Sequence, residues 1–289
     1  MTMRIPPSLN GVIPHGITLQ SAQAPGAMAM VHEALMRGLR AVSEYLDDHH
    51  IEFWLDSGTL LGARRHGGLI PWDDDVDLAM TRDSFQTLLS TVAQGLPPDL
   101  SWTTPVNDPT QPGFLPGKFR IDGTYAVEQA WFHHRGPPPD SLGLSIDVFT
   151  VERIPRGALA RRLARRYRYE YYLRETATHH RIAARHRKDR VHAGALRAVP
   201  DAVFAASHAR LRSASSDSAT WGYSLNQPWD QLELRDQDLW PLEMLPFGDL
   251  LLPSPSNSDR YLSQLYGSDF LTPPAPAARR PHNAFFGFS

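Results

Sequence analysis

The sequence predicts an α+β fold, a mixed-sheet core joined to a helical second part. Three observations predict it. Residues 27–50 carry one apolar stripe at three- and four-residue spacing. Short strand-like runs then alternate with turns and a few helical stretches up to about residue 152. From Ala158 to about Arg212 the chain turns helical and strongly basic. Strands and helices in segregated runs point to α+β.

The elements follow in order. Residues 1–26, beginning MTMRIPPSLNGVIPHG, lack an apolar h-region and read as a loose arm. Met28, Val31, Leu35, Leu39, Val42 and Leu46 form the stripe of the first helix. Glu52–Leu55 is a short strand. Ser57-Gly58-Thr59 opens a short helix, TLLGA, and His66-Gly67-Gly68 is a turn. Val76–Met80 is a second strand. Thr81 caps a helix carrying Phe85, Leu88, Leu89 and Val92. Strands are expected at 100–106, 118–121, 124–132 and 142–151, with the proline-rich insert 133–141 as a loop. After the basic helical run the last third reads as loop-rich, and the terminal FFGFS has no assigned element. The expected organisation is an arm (1–26), a catalytic core (27–152), a basic helical region (153–244) and a C-terminal segment packing back on the core (245–289).

Composition narrows the class. The 289 residues suffice for a sizeable core, and a net charge of −2 gives no electrostatic argument for nucleic acid. With no cysteine there is no disulfide framework, which fits a cytoplasmic protein. No run approaches the roughly 18 apolar residues of a membrane span.

The stretch LDSGTLLGARRHGGLIPWDDDVDLAM, Leu55 to Met80, sets a Gly-Thr turn beside four carboxylates. Gly58 and Thr59 follow a strand and open a helix, where bare N–H groups can hold a phosphate. Asp75 and Asp77, two apart on a strand, share a face. Such a pair suits Mg²⁺, which takes one or two carboxylates plus substrate phosphates. An acidic surface loop is the plain alternative. A calcium loop fails, because Leu78 and Ser84 stand where glycine and glutamate are required. Asp147, alone in the apolar strand LSIDVF, is expensive to bury unless paired or metal-bound. Gly-Thr, Asp-x-Asp and a separate strand Asp form the layout of a nucleotidyltransferase-type site.

At these residues the chain resembles the LicD/fukutin family of phosphotransferases. The long first motif carries the likeness, with KFRIDGTYA, LGLSIDVF and FGDLLLPSPSNSDRYLSQLYGSDFLTPP in the same order. The resemblance implies a nucleotidyltransferase-like fold. It also implies transfer of a phospho-alcohol from a CDP-activated donor to a sugar or glycoconjugate hydroxyl, as in lipopolysaccharide modification, with Mg²⁺ or Mn²⁺ as cofactor. Carried over by position, Asp75, Asp77 and Asp147 are the catalytic and metal carboxylates. Gly58 and Thr59 form the phosphate turn, and Lys118 and Arg120 are basic strand residues. Arg64, between the turn and the carboxylates, joins them as a substrate-binding candidate, with Arg65 and His66 beside it. Asp147 is left open between metal ligand and base. Asp73 is expected to orient a ligand and Asp56 to brace the turn.

Residues 153–244 have no match in that resemblance and are left as the acceptor side, where a lipid-linked acceptor and a peripheral place at the inner membrane face fit the basic run. In the stretch 158–190, Leu159, Leu163, Tyr167 and Tyr171 are expected to pack inward, with arginines snorkelling outward. The histidine pairs 133–134 and 179–180 read as surface residues. Two other readings remain open: transfer of NMP to a protein, RNA or small molecule, and a non-catalytic nucleotide-binding protein.

Overall fold

A computed structural model describes residues 17–108, 111, 115–128, 143–178, 187–225, 227 and 232–289. The fold is α+β. The elements are β1 (Gln20–Ser21), α1 (Ala27–Asp48), β2 (Trp54–Leu55), α2 (Ser57–His66), β3 (Val76–Thr81), α3 (Arg82–Val92), β4 (Leu100–Thr103), β5 (Gly117–Ile121), β6 (Thr124–Glu128) and β7 (Ser145–Arg153). They continue as α4 (Ala158–Thr178), α5 (Arg187–Arg197), α6 (Asp201–Ser213), β8 (Thr220–Tyr223), β9 (Leu234–Arg235), α7 (Asp236–Leu239), β10 (Glu243–Phe247), β11 (Leu250–Ser254), α8 (Ser258–Tyr266) and β12 (Asn283–Phe288).

The main sheet runs β2-β3-β7-β5-β4. β3 and β7 are parallel, and the other pairs in it are antiparallel. Such a central pair is buried on both faces, so its residues read as a near-continuous apolar run. Eight of the nine residues of β7 are buried. The edge of β7 that β5 leaves free is taken by β8, which pairs with Val151 to Arg153 and carries β9.

Helix α1 lies on this sheet through its predicted stripe; Val31, Leu35, Leu39, Val42 and Leu46 are fully buried. Gly38 permits the close approach. A Cβ there would stand 2.6 Å from Ile121 Cδ1. Met28, at the helix start, is only partly buried.

Several expectations are corrected in length. The strand expected at 100–106 ends at Thr103, and the helix expected over TLLGA continues to His66. The basic run is helical as expected, and its described residues form three helices. The C-terminal third is less loop-rich than expected. It holds the β10–β11 hairpin, α8 and β12. FFGFS supplies most of β12, which pairs with both β1 and β6. Residues 1–16, 129–142 and 179–186, with both histidine pairs and the 133–141 insert, lie outside the described residues.

A second, smaller apolar cluster sits among the helices. It joins Ala164, Tyr167 and Leu173 of α4 to Ala193 and Leu196 of α5, Phe204 of α6, and Leu225. No helix among the described residues is long and apolar enough to cross a membrane.

Candidate active site

The sheet register assembles the charges. Asp77 on β3 stands opposite Asp147 on β7, and Asp147 stands opposite Lys118 on β5. Three neighbouring strands thus carry one row of carboxylate, carboxylate and ammonium. Lys118 Nζ donates to Asp147 Oδ2 at 2.7 Å, and the Ser145 hydroxyl donates to Oδ1 at 2.8 Å. Each oxygen of Asp147 keeps a further lone pair. Arg120, two residues along, donates to the Gly143 carbonyl at 2.9 Å.

Helix α2 is fixed against this row at its first turn. Asp56, fully buried, is its N-cap and accepts from the Ser57 N–H at 2.7 Å. The Asp56 carboxylate also accepts from Tyr223 (2.9 and 3.0 Å) and Tyr261 (2.7 Å). Burial pushes its pKa up, and these hydrogen bonds oppose the shift. Ser57, at φ 45°, is in a region that is uncommon for a residue with a side chain. Buried Thr59 accepts the Asp77 N–H through Oγ1 at 2.8 Å, so its hydroxyl ties α2 to β3. Gly58 faces Asp73. A Cβ on Gly58 would stand 2.9 Å from Asp73 Oδ2.

The loop before β3 carries three carboxylates, of which Asp73 and Asp75 line the same cavity. Asp74 turns away and is almost wholly buried. It accepts from the backbone N–H groups of His282 (2.9 Å) and Asn283 (2.8 Å) and from Asn283 Nδ2 (2.9 Å). This pins the C-terminal strand to the loop and places His282 Nδ1 3.3 Å from Asp75 Oδ2. Asp73, Asp74, Asp75 and His282 each present a ligand atom within 4.8 Å of the others. His282, more than 200 residues from the motif, escaped the sequence reading.

A cavity of about 410 Å³ opens here. Asp73, Asp75, Asp77 and His282 line one part of it, with Gly58, Arg65, Trp72 and Tyr266 around them. Arg65 holds its guanidinium 5.8 Å from the Trp72 ring centre, and Arg279 holds its own at 5.1 Å. Arg64 points elsewhere. It pairs with Asp259 of α8 at 2.7 Å and is not among the residues lining the cavity. The helical extension to His66 explains the exchange, since successive residues on a helix point about 100° apart.

The electrostatics of the cavity are those of crowded carboxylates. Burial, then the neighbouring Asp75, pushes Asp73 up to about 7. Burial, then Asp75 and Asp147, pushes Asp77 well above the usual carboxylate range. Burial would raise Asp75 too, but the hydrogen bond and charge of His282 and the charge of Lys118 hold it below that range. The hydrogen bond to Asp75 lifts His282 to about 9. Oxygen donors in surplus, with two of them driven toward protonation, form a set that a hard divalent cation fits.

Residues 50–102 match the family model described as LicD/FKTN/FKRP, nucleotidyltransferase domain. Over this segment the chain is similar to the LicD/FKTN/FKRP family. Over 49 residues it is 47% identical to human ribitol 5-phosphate transferase FKRP, covering 16% of this chain and 10% of that one. Over 38 residues it is 55% identical to the lipopolysaccharide cholinephosphotransferase LicD of Haemophilus influenzae, covering 13% and 14%. An uncharacterized protein of Rickettsia typhi, RT0683, is 37% identical over 78 residues, a quarter of each chain. The chain thus spans a quarter or less of the length of these curated relatives. The family match contains the Gly-Thr turn and the Asp73–Asp77 carboxylates but stops before Lys118, Asp147 and His282.

Proposed function

We propose that this protein transfers a phospho-alcohol group, phosphocholine- or polyol-phosphate-like, from a CDP-activated donor to a hydroxyl of a sugar or glycoconjugate. CMP is released. The observation that carries the reading is the row Asp77, Asp147 and Lys118 across β3, β7 and β5, with Asp75, Asp77 and Gly58 at the start of α2 lining the cavity. The names of two relatives, ribitol 5-phosphate transferase FKRP and lipopolysaccharide cholinephosphotransferase LicD, support that class of group.

Asp75 and Asp77, with Asp147, are the residues to hold Mg²⁺ or Mn²⁺, which supplies positive charge to the donor pyrophosphate. The amides at the start of α2 face the same anion, and the absent side chain of Gly58 lets it approach. Thr59 acts through the backbone it positions. Lys118 offsets charge on the phosphoryl group in flight. The acceptor oxygen forms a bond to phosphorus as the bridging bond to CMP breaks, and the hydroxyl proton passes to a carboxylate. Asp147 is the residue assigned to it when it is not a metal ligand. Positioning and charge supply most of the acceleration in such transfers. Arg120 and Arg64 support the site from outside, through Gly143 and Asp259. We place the reaction in the cytoplasm.

A thermal-shift panel tests the reading without an acceptor. CDP-choline, CDP-ribitol, CDP-glycerol, CTP, ATP and UDP-sugars are compared with and without Mg²⁺. A ligand at about 100 times its dissociation constant adds roughly 2.7 kcal/mol of stability. A Mg²⁺-dependent shift with one CDP-alcohol is expected. A shift with ATP or CTP alone favours NMP transfer, and no shift with any nucleotide rejects the assignment.

A further inference from the structure

Helix α4 turns its apolar stripe inward along only part of its length. Leu159, Leu163, Tyr167 and Tyr171 recur at four-residue spacing and so share one stripe. Tyr167 is buried and Tyr171 is partly buried, both against Phe204. The first turns behave differently. Leu159 is 72% exposed and Leu163 is 50% exposed. Tyr169 joins them at 47%, edge-on to His192 of α5. This corrects the expectation that both leucines pack inward.

The arginines divide in the same way. Arg161 pairs with Glu233, Arg168 donates to the Tyr223 carbonyl and Arg174 pairs with Asp201. Arg162 and Arg165, both exposed, have no ionic partner among the described residues. Arg156, just before the helix, is likewise exposed and without one. The first turns of α4 therefore present exposed leucines with Arg162 beside them and Arg165 on the flank, while Arg166, on the leucine side, is paired with Glu170.

We propose that this face of α4 docks the protein on the surface of a bilayer containing anionic lipid. The leucines enter the headgroup boundary, and Arg162 and Arg165 lie at the level of the lipid phosphates. Aliphatic side chains among cations suit that boundary. Tyr169 is seated edge-on to His192, so the face leads with its leucines rather than with a free stacking ring, the surface that grips a nucleic acid. The docked helix is fixed to the catalytic sheet. Arg168 holds the Tyr223 carbonyl, and the Tyr223 hydroxyl holds Asp56, the cap of α2. A hydroxyl acceptor attached to lipid would thus share a surface with the enzyme.

Co-sedimentation of the full chain with vesicles tests this and needs neither donor nor metal, so it can fail independently of the proposed reaction. Vesicles of phosphatidylcholine alone are compared with equal parts phosphatidylcholine and phosphatidylglycerol. Binding to the mixed vesicles only, weakened by salt, is expected. A basic residue near an anionic surface is worth roughly fivefold in partitioning, so Arg162→Gln with Arg165→Gln should lose about 25-fold. Leu159→Ser with Leu163→Ser should also weaken binding, and both variants should melt like the parent because the four side chains are exposed. Equal retention of parent and variants overturns the proposal. So does no binding to the mixed vesicles at low salt, or loss in the variants of RNA binding or self-association in place of vesicle binding.

Discussion

Asp77 and Asp147 face each other across the parallel strands β3 and β7, with no residue between them in register. Two carboxylates so placed repel, and burial adds to the cost. A structural role alone would favour replacing one of them. Asp77→Asn or Asp147→Asn should therefore lower phospho-alcohol transfer by roughly a hundredfold or more. In metal-free buffer Asp77→Asn should melt no lower than the parent, whereas Asp147→Asn, which leaves the buried Lys118 ammonium unpaired, should fold but melt lower. Initial rates and circular dichroism melts check both. Parent-like rates in both variants would sink the mechanism.

Thr59 is a latch rather than a surface residue. Its hydroxyl accepts the Asp77 N–H inside the protein. Thr59→Val keeps the shape and removes the acceptor. Leaving that buried N–H unpaired should cost roughly 1–3 kcal/mol in urea unfolding. Thr59→Ser should recover most of it, and an unchanged midpoint in Thr59→Val would refute the latch.

Without divalent ions, stability should fall as pH rises. Asp73 titrates near 7 in the fold against 3.8 as an unperturbed group. A raised pKa contributes stability that is complete below 3.8 and lost by about 7. His282 acts in the same sense, its contribution fading as pH rises from 6.5 through about 9. Mg²⁺ should cancel the Asp73 part of the decline, because the ion favours the ionised carboxylates. Melting temperatures across pH in EDTA and in Mg²⁺ decide it. A flat or rising curve in EDTA would count against the crowded cluster.

Glu152 should give the opposite slope at the acid end. It accepts from Arg82 (3.0 Å) and the Leu225 N–H (2.9 Å), with His208 Nε2 at 3.3 Å. Burial alone would raise it, but the His208 hydrogen bond and the Arg82 charge hold it at about 2. A depressed pKa contributes stability that is present above 4.5 and lost as pH falls toward about 2. The contribution is on the order of 3 kcal/mol at most. Glu152→Gln should flatten the acid limb of the unfolding profile. An acid limb identical to the parent's would show that the network has no such role.

What could be read from the sequence follows the range of the signals. Asp77 and Asp147 stood out because an Asp-x-Asp and a lone carboxylate in an apolar run are local patterns, and the register sets the two opposite each other, while Asp75 lies in the loop before β3. Lys118 was legible by resemblance, and the register then placed it beside Asp147. Arg64 and Arg65 were not separable, because one residue of helix phase decides which enters the cavity. Leu159 and Leu163 share a stripe with Tyr167, but the elements that bury the tyrosines do not extend over the first turns of α4. β12 gave no alternation, since both of its faces are buried. His282 had no local signal at all; its place comes from three hydrogen bonds to a residue 208 positions away.

That separation has a consequence in time. Asp73, Asp74 and Asp75 leave the ribosome long before His282 and Asn283. At about 5–20 residues per second the interval is roughly 10 to 40 s. Through that interval Asp74 lacks the three donors that bury it, and Asp75 lacks its histidine. A nascent chain can hold the whole family motif and still have no finished cavity. The carboxylate cluster is therefore completed only once β12 has been made.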